Sequence, residues 1–246
     1  MSDHPRVSVI IPFYNCLYVD QAIESALQQQ YPNFEVIVVN DGATRYRKKI
    51  APYLKQIRYV TKENGGTASA LNAGIRHASG HYFAWLSADD RFKPDKLAKQ
   101  MAFMQEQGAY ASFSGYELID QNGQVIGRQV EAGIPRKLDI YANMMNGCII
   151  NGCTVMLRMD VFREVGLFDE RLRYANDYDM WLRVLSRYDF FYLNDALVQY
   201  RIHEQMGSRR FADDIARETE QIRHIHRPLL QQRMETELRS SPGTAE

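Results

Sequence analysis

The chain has 246 residues, and its thirty Lys plus Arg balance its thirty Asp plus Glu, so the formal net charge at neutral pH is zero. That balance excludes a globally basic nucleic-acid binder and an acidic solvating chain, while 45% hydrophobic and 24% charged residues suit a globular protein with a core of its own. Three cysteines without a Cys-x-x-Cys pair, an N-terminus without the apolar stretch of a signal peptide, and no apolar run near the ~18 residues of a membrane-spanning helix together predict a reduced, cytoplasmic setting.

In chain order, β-branched and apolar runs occupy residues 7–11, 35–39, 57–60 and 82–86. The first ends at Pro12, the second at Asn40-Asp41-Gly42 and the fourth at Ser87-Ala88-Asp89-Asp90. Runs that are apolar on both faces predict buried parallel strands. Helical patterns fill the gaps at 19–30, 67–78 and 94–107, the last with Pro94 near its first turn and Gly108 after its end. Strand–helix alternation predicts a right-handed parallel α/β sheet. Asn15, Asp41, Asn64 and Asp89-Asp90 then fall beyond the carboxyl ends of strands, where open α/β sheets bind ligands.

The second half is less regular. Residues 111–126 predict a hairpin turning at Asp120-Gln121-Asn122-Gly123. A short strand at 153–158 is followed by Asp160 as the cap of a helix through Val165. Residues 178–188 predict an amphipathic helix with Met180, Trp181, Val184 and Leu185 on its apolar side, and 190–202 hold one or two strands. Beyond Ser208 the chain is charged and helical, and 240–246 reads as a frayed tail.

Several common sites are absent: no phosphate-binding Gly-x-x-x-x-Gly-Lys loop, no Gly-x-Gly-x-x-Gly after the first strand, no His-Glu-x-x-His and no Gly-x-Ser-x-Gly. The sharpest feature is Asp89-Asp90, two adjacent carboxylates after a buried strand. A cation shared with phosphate oxygens accounts for them, and so does the start of the following helix. Asp41 before Gly42 suits either contact with a base or ribose or an Asx turn. Asn176-Asp177 suits a helix cap or a carboxylate base on a rigid helix. Arg201-Ile202-His203 suits exposed side chains or contacts to phosphate and metal.

Taken together, these segments resemble family 2 of the inverting, nucleotide-sugar-dependent glycosyltransferases. Val7-Ser8-Val9-Ile10-Ile11-Pro12-Phe13-Tyr14-Asn15 is similar to the family's first strand, and Glu35-Val36-Ile37-Val38-Val39-Asn40-Asp41-Gly42 to its second. Glu63-Asn64-Gly65-Gly66-Thr67 and Ala70-Leu71-Asn72-Ala73-Gly74 resemble the next block. Trp85-Leu86-Ser87-Ala88-Asp89-Asp90 is similar to the Asp-x-Asp metal site, Asn176-Asp177-Tyr178-Asp179 to the Glu-Asp motif of the catalytic base, and Tyr200-Arg201-Ile202-His203 to the segment closing over the diphosphate. Two departures stand out: Asn176 replaces the usual Glu, and Leu71 stands where many members carry Arg.

The resemblance implies a GT-A, Rossmann-like fold: a mostly parallel central sheet flanked by helices, with a C-terminal acceptor-side region and a terminal helix. It implies residues 1–208 as one catalytic domain, with a nucleotide-sugar half at 1–107 and an acceptor half at 108–208, followed by a helical extension at 209–246. It implies transfer with inversion from a nucleoside diphosphate sugar, most readily a UDP-sugar, to a glycan or lipid-linked acceptor. Pro12, Tyr14, Asn15, Asp41, Asn64, Gly65, Asn72 and Asp89 would surround the nucleotide. Asp90 and His203 would hold a divalent cation, manganese or magnesium, and Arg201 would meet the diphosphate. Asp177 would be the base, with Asp179 next in line. No nucleic-acid partner is implied. Asn151-Gly152-Cys153 is open to a site role or a tight turn. A sugar nucleotidyltransferase is the weaker rival, because Pro12-Phe13-Tyr14-Asn15 replaces the Gly-rich loop it needs; a non-catalytic binding module is the other.

In the extension, Phe211, Ile215, Ile222 and Ile225 share one helical face with arginines between them. Such a helix either rests on the inner membrane surface, where a lipid-linked acceptor would be found, or packs on its own domain or a second subunit. Under either reading it is expected to be dispensable for chemistry.

Overall fold

Alternate side chains of the first apolar run enter two separate cores, which is why the run is apolar throughout. In the computed structural model, which describes residues 4–127 and 136–240, Val7–Phe13 forms β1. Its Val7, Val9, Ile11 and Phe13 join the core under α1 (Val19–Leu27) and α3 (Lys96–Glu106), while Ile10 joins the core under α2 (Gly66–His77) and α6 (Asn176–Leu185). β2 (Phe34–Asp41) divides likewise, with Val36 and Val38 on one side and Ile37 and Val39 on the other.

The remaining strands are β3 (Arg58–Lys62), β4 (Tyr82–Trp85), β5 (Arg91–Phe92), β6 (Ala111–Ile119), β7 (Met156–Arg158) and β8 (Phe190–Arg201). They form one sheet in the order β3-β2-β1-β4-β7-β6-β8-β5. The first four neighbours are parallel, as the β–α alternation requires, and β6 and β8 are also parallel. β7 and β5 run against their neighbours. Between β4 and β5 the chain therefore crosses from the middle of the sheet to its edge, and Asp89-Asp90 lies on that crossing.

The predicted hairpin at 111–126 is formed only at its tip, where Asp120 N–H donates to Gln124 O at 2.9 Å and Ile126 N–H to Leu118 O at 3.0 Å. The turn at 120–123 is present, with Asp120 Oδ1 accepting the N–H groups of Asn122 and Gln124, each at 2.8 Å. After it, Val125 makes only an isolated bridge to Ile119, and Val125 and Ile126 are each 55% exposed. β6 pairs instead with β8, from Ala111↔Phe190 to Ile119↔Arg201, because the 190–201 run offers a far longer apolar partner. Asp160 makes no cap bond for α5 (Val161–Val165); its carboxylate pairs with Arg158. The short helix α4 (Lys137–Met144) and the 3-10 turn Arg47–Tyr53 carry too little periodicity to be foreseen.

The C-terminal helices are α7 (Gly207–Arg210) and α8 (Ala212–Ser240). α8 packs on its own domain, against α4 and α6. Its packed face matches the apolar pattern only in part: Ile222 is buried, together with Leu230 outside the pattern, whereas Ile225 is 70% exposed. Polar side chains complete that face. His226 Nε2 lies 2.9 Å from Asp179 Oδ1, and Arg233 donates to the Tyr141 hydroxyl at 2.9 Å. This is packing on its own domain, one of the two readings open for the extension; removing α8 would uncover two core residues and leave Asp179 with one partner fewer. Of the predicted tail at 240–246, Ser240 closes α8 and the rest lies outside the described residues; none of the described helices is long and apolar enough to cross a membrane.

Asn151-Gly152-Cys153 is a tight turn leading into the 3-10 segment Gly152–Thr154, with Asn151 Oδ1 accepting the Cys153 N–H at 2.9 Å. Gly152 lies flat on Trp85, and a Cβ there would sit 2.3 Å from Trp85 Cζ3. Gly152→Ala should therefore lower stability by about 1–3 kcal/mol through overpacking. An unchanged thermal midpoint would show that the Trp85 ring gives way freely.

Candidate active site

The carboxyl ends of β2 and β3 meet at a buried carboxylate. Asp41 Oδ1 accepts from Lys62 Nζ at 2.7 Å and the Gly65 N–H at 3.0 Å; Oδ2 accepts from Asn64 Nδ2 at 3.1 Å and the Gly66 N–H at 2.8 Å. Four donors from β3 and the start of α2 use the acceptor capacity of this carboxylate. An anion suits that place, because the exposed N–H groups of α2 and a lysine converge there. Gly42 makes the approach possible: its φ is +72°, and a Cβ would lie 2.8 Å from the Asn64 nitrogen. Asn15, itself at φ 50°, ties the loops after β1 and β2 together by accepting the N–H groups of Thr44 and Arg45 at 2.9 and 2.7 Å. Pro12 lies within β1, and Tyr14 is 56% exposed. Asn72 is buried and bonded to the 168–170 loop: its amide donates to Phe168 O and Glu170 Oε1 and accepts the Phe168 N–H, all at 2.9 Å.

A second cluster forms where the crossing after β4 meets the end of β8. Asp90 is 1% exposed. Its Oδ1 accepts the Arg201 backbone N–H at 2.8 Å, and its Oδ2 lies 3.2 Å from the Cys153 thiol. Burial and then the charge of Asp89 push the Asp90 carboxyl well above its ordinary range. The same causes, burial first, push the Cys16 thiol up to about 12. Arg201 is buried as well. Its guanidinium donates to Asp89 O at 2.7 Å, Asp120 O at 3.0 Å, Gln121 O at 3.3 Å and Gln21 Oε1 at 2.8 Å, and stands 4.3 Å from the Tyr18 ring centroid. Burial, then the neighbouring Arg91 guanidinium, lower its pKa. Gln21 also accepts from Arg91, so one side-chain oxygen serves two guanidinium groups.

Asp89 keeps its carboxylate at the surface, 29% exposed, with Oδ2 3.1 Å from His203 Nε2. A carboxylate oxygen and an imidazole nitrogen in contact are a donor set that suits a divalent transition-metal cation such as manganese better than magnesium, which prefers oxygen alone. Among the described residues no three His, Cys, Asp or Glu side chains come together, so such an ion would draw its other ligands from a bound anion or water.

Asp177 stands at the start of α6. Its Oδ1 accepts the Tyr178 N–H at 2.8 Å, and burial pushes its carboxyl up to about 6. That value leaves a carboxylate that is both ionised and basic near neutral pH. Asp179 differs: burial raises its pKa, but His226 and Arg183 outweigh burial and hold it low, as part of the α6–α8 contact. Asn176 is buried with its Oδ1 unpartnered. Among the described residues no hydrogen bond joins Asp177, on α6, to the Asp89–His203 pair. Sequence reasoning misses Gln21, Tyr18 and Glu218. None belongs to a motif, and Glu218 meets backbone 43 to 45 residues away.

The family model described as Glycosyl transferase family 2 matches residues 8–166. An uncharacterized glycosyltransferase of Rickettsia typhi is 40% identical over 206 residues, which are 81% of this chain and 65% of that protein, so the chain spans slightly less than two thirds of the relative. Of solved structures, S. aureus TarS 1–349 in complex with UDP-GlcNAc matches with a TM-score of 0.66 at 22% identity, covering 82% of this chain and 60% of that one. The mannosyltransferase PcManGT of Pyrobaculum calidifontis, in complex with GDP-Man and Mn2+, matches at 0.62 and 20% identity, covering 83% and 59%. At these identities the likeness is one of fold, and it is the expected GT-A architecture.

The raised pKa of Asp177 fixes the sign of a pH effect. An unfolded carboxyl loses its proton near pH 3.9, whereas the folded one holds it to about 6. The fold therefore loses stability as pH rises through that window, and the loss persists above it. Asp177→Asn keeps the acceptor for Tyr178 but cannot ionise, so it should raise the thermal midpoint at about pH 8 and leave it unchanged at about pH 3.5. Equal effects at the two pH values would contradict the burial argument.

Proposed function

Because the chain belongs to glycosyl transferase family 2, we propose that it moves a sugar from a nucleoside diphosphate donor, most readily UDP-linked, to a glycan or lipid-linked acceptor hydroxyl with inversion. The observation that carries this reading is the Asp89–His203 pair, 3.1 Å apart at the carboxyl end of the sheet.

Asp89 and His203 would hold a divalent cation, which when bound supplies positive charge against the leaving diphosphate. The ligand role falls to Asp89 rather than Asp90, because both Asp90 oxygens face inward, to Arg201 and Cys153. Arg201 shapes this corner and does not grip phosphate, since its donors already serve Gln21 and three carbonyl groups. Asp41 acts one step back from the base, holding Asn64 and Gly65 in place, and Asn72 does the same for the 168–170 loop. Asn15, Pro12 and Tyr14 form the neighbouring nucleotide wall. The open ring of Tyr14 is suited to stacking on a base. Asp177 takes the proton of the acceptor hydroxyl as the new bond forms, and its position on a helix fixes that geometry.

A screen of donor hydrolysis across UDP-, GDP- and dTDP-sugars with manganese tests the reading. Turnover of a UDP-sugar is expected; binding without turnover of any donor would favour a non-catalytic module. Asp89→Ala and His203→Ala should each weaken manganese-dependent UDP binding at least tenfold, measured by calorimetry. Equal UDP affinity with and without chelator would remove the cation from the scheme. Asp177→Asn should keep UDP binding and lower turnover by roughly 10²–10⁴-fold, and wild-type turnover in that variant would place the base elsewhere.

A further inference from the structure

The start of α6 lacks a cap of its own. Its N-cap position is Ala175, which has no side-chain acceptor, and the N–H groups of the segment leading into the helix, 173–175, also need a partner. Glu218 supplies it from α8. Its Oε1 accepts the Arg173 N–H at 3.0 Å, and its Oε2 accepts those of Tyr174 at 2.9 Å and Ala175 at 2.8 Å. Three consecutive backbone donors on one carboxylate are charge-assisted bonds, and they place negative charge at a helix N-terminus, where it is favoured. Asp177 is two residues further on.

From these contacts we infer that Glu218 is a positioning residue for Asp177, with α8 as its brace. The inference rests on the reading of Asp177 as the base. Glu218 makes no ion pair among the described residues; both its oxygens are given to backbone. Further contacts hold the brace on either side. Tyr174 and Phe211 pack with ring centroids 4.8 Å apart, and His226 meets Asp179 on α6. Arg223 donates to Asn146 O at 3.4 Å, in the loop just after Met144, the last residue of α4, whose carbonyl accepts the Tyr178 hydroxyl. One helix thus grips the entry to α6, α6 itself and the loop beside the α4 end that α6 leans on. Freed of Glu218, the N–H groups of 173–175 would be open to water and to the Asp177 carboxylate.

The titratable and charged groups around this corner are Cys148 after α4, Asp179 and Arg183 on α6, and Glu218, Glu220, Arg223 and His226 on α8. Asp179 pairs with Arg183 and lies in contact with His226, and Arg223 pairs with Glu220. Glu218 is therefore the group whose replacement tests the brace. Loss of its bonds lets water and free N–H groups reach Asp177, and both lower a carboxyl pKa.

The experiment compares full-length wild type, Glu218→Ala, Glu218→Gln and Asp177→Asn. It reads amide exchange at 173–175, and the pH profile of kcat/KM for the nucleotide sugar that the donor screen finds hydrolysed fastest. In Glu218→Ala, exchange at 173–175 should quicken at least tenfold, and the acidic limb should fall from near 6 by about one pH unit, toward the ordinary carboxylate range. Glu218→Gln, which keeps one acceptor oxygen and folds more readily, should give intermediate values of both. Unchanged exchange overturns the brace. Faster exchange with an unmoved limb makes Glu218 structural only, and equal limb shifts in the Gln and Ala variants assign the effect to charge; either result overturns the positioning role. A wild-type limb that survives in Asp177→Asn means that the base reading has failed and takes the positioning role with it, while the exchange data still report whether the brace exists.

Discussion

The buried clasp between Asp90 and Arg201 is the constraint on which the acidic corner depends. A carboxylate with 1% exposure is tolerable only with its own donors, and Asp90 has the Arg201 N–H and the Cys153 thiol. Arg201 returns the contact through its side chain, to Asp89 O and to the carbonyls of Asp120 and Gln121. The crossing after β4, the turn after β6 and the end of β8 are thereby locked together. Removing one partner from such a buried set leaves several polar groups unsatisfied at once, which is far costlier than the set's net contribution. Because Asp90 is drawn inward, Asp89 remains at the surface, and His203, two residues past Arg201, arrives opposite it.

The two halves of the site are supported differently. The Asp41 side rests on parallel strands whose two faces are both packed, with Asp41 joining β2, β3 and α2. Beneath the Cys153 turn a buried polar chain continues the support: Lys96 donates to Gln100 at 2.7 Å, and Gln100 donates to Ser112 Oγ and Thr154 O at 3.0 and 2.9 Å. Burial lowers the Lys96 pKa to about 7. The Asp177 side has no comparable sheet beneath it. Helix α6 is steadied from outside by α8, through Glu218, Ile222, His226 and Arg233.

Much of this was legible in the sequence. The strands at β1, β2 and β4, the helices α2 and α3, and the ligand end of the sheet follow from apolar runs and polar strand ends. What was hidden depends on long-range register. Asp89 and Asp90 are identical residues side by side, and which one faces out is decided by β8, 111 residues away from Asp90 in the chain. Arg201 looks like an exposed cation until its carbonyl partners are seen. In α8 the apolar repeat points to Ile225, yet the packed face includes Glu218, His226 and Arg233, since buried polar partners leave no hydrophobic signature. The hairpin at 111–126 stops at its tip for a related reason: a local turn signal cannot show that a better strand partner lies some eighty residues on.

The most direct measurement is a crystal structure of the chain with UDP and manganese. The account predicts Asp89 and His203 as the protein ligands of the ion, with Asp90 still accepting the Arg201 N–H and the Arg201 guanidinium still on Asp89 O and the 120–121 carbonyls. An Asp90 carboxylate turned out onto the ion, with Arg201 released to the diphosphate, would contradict it.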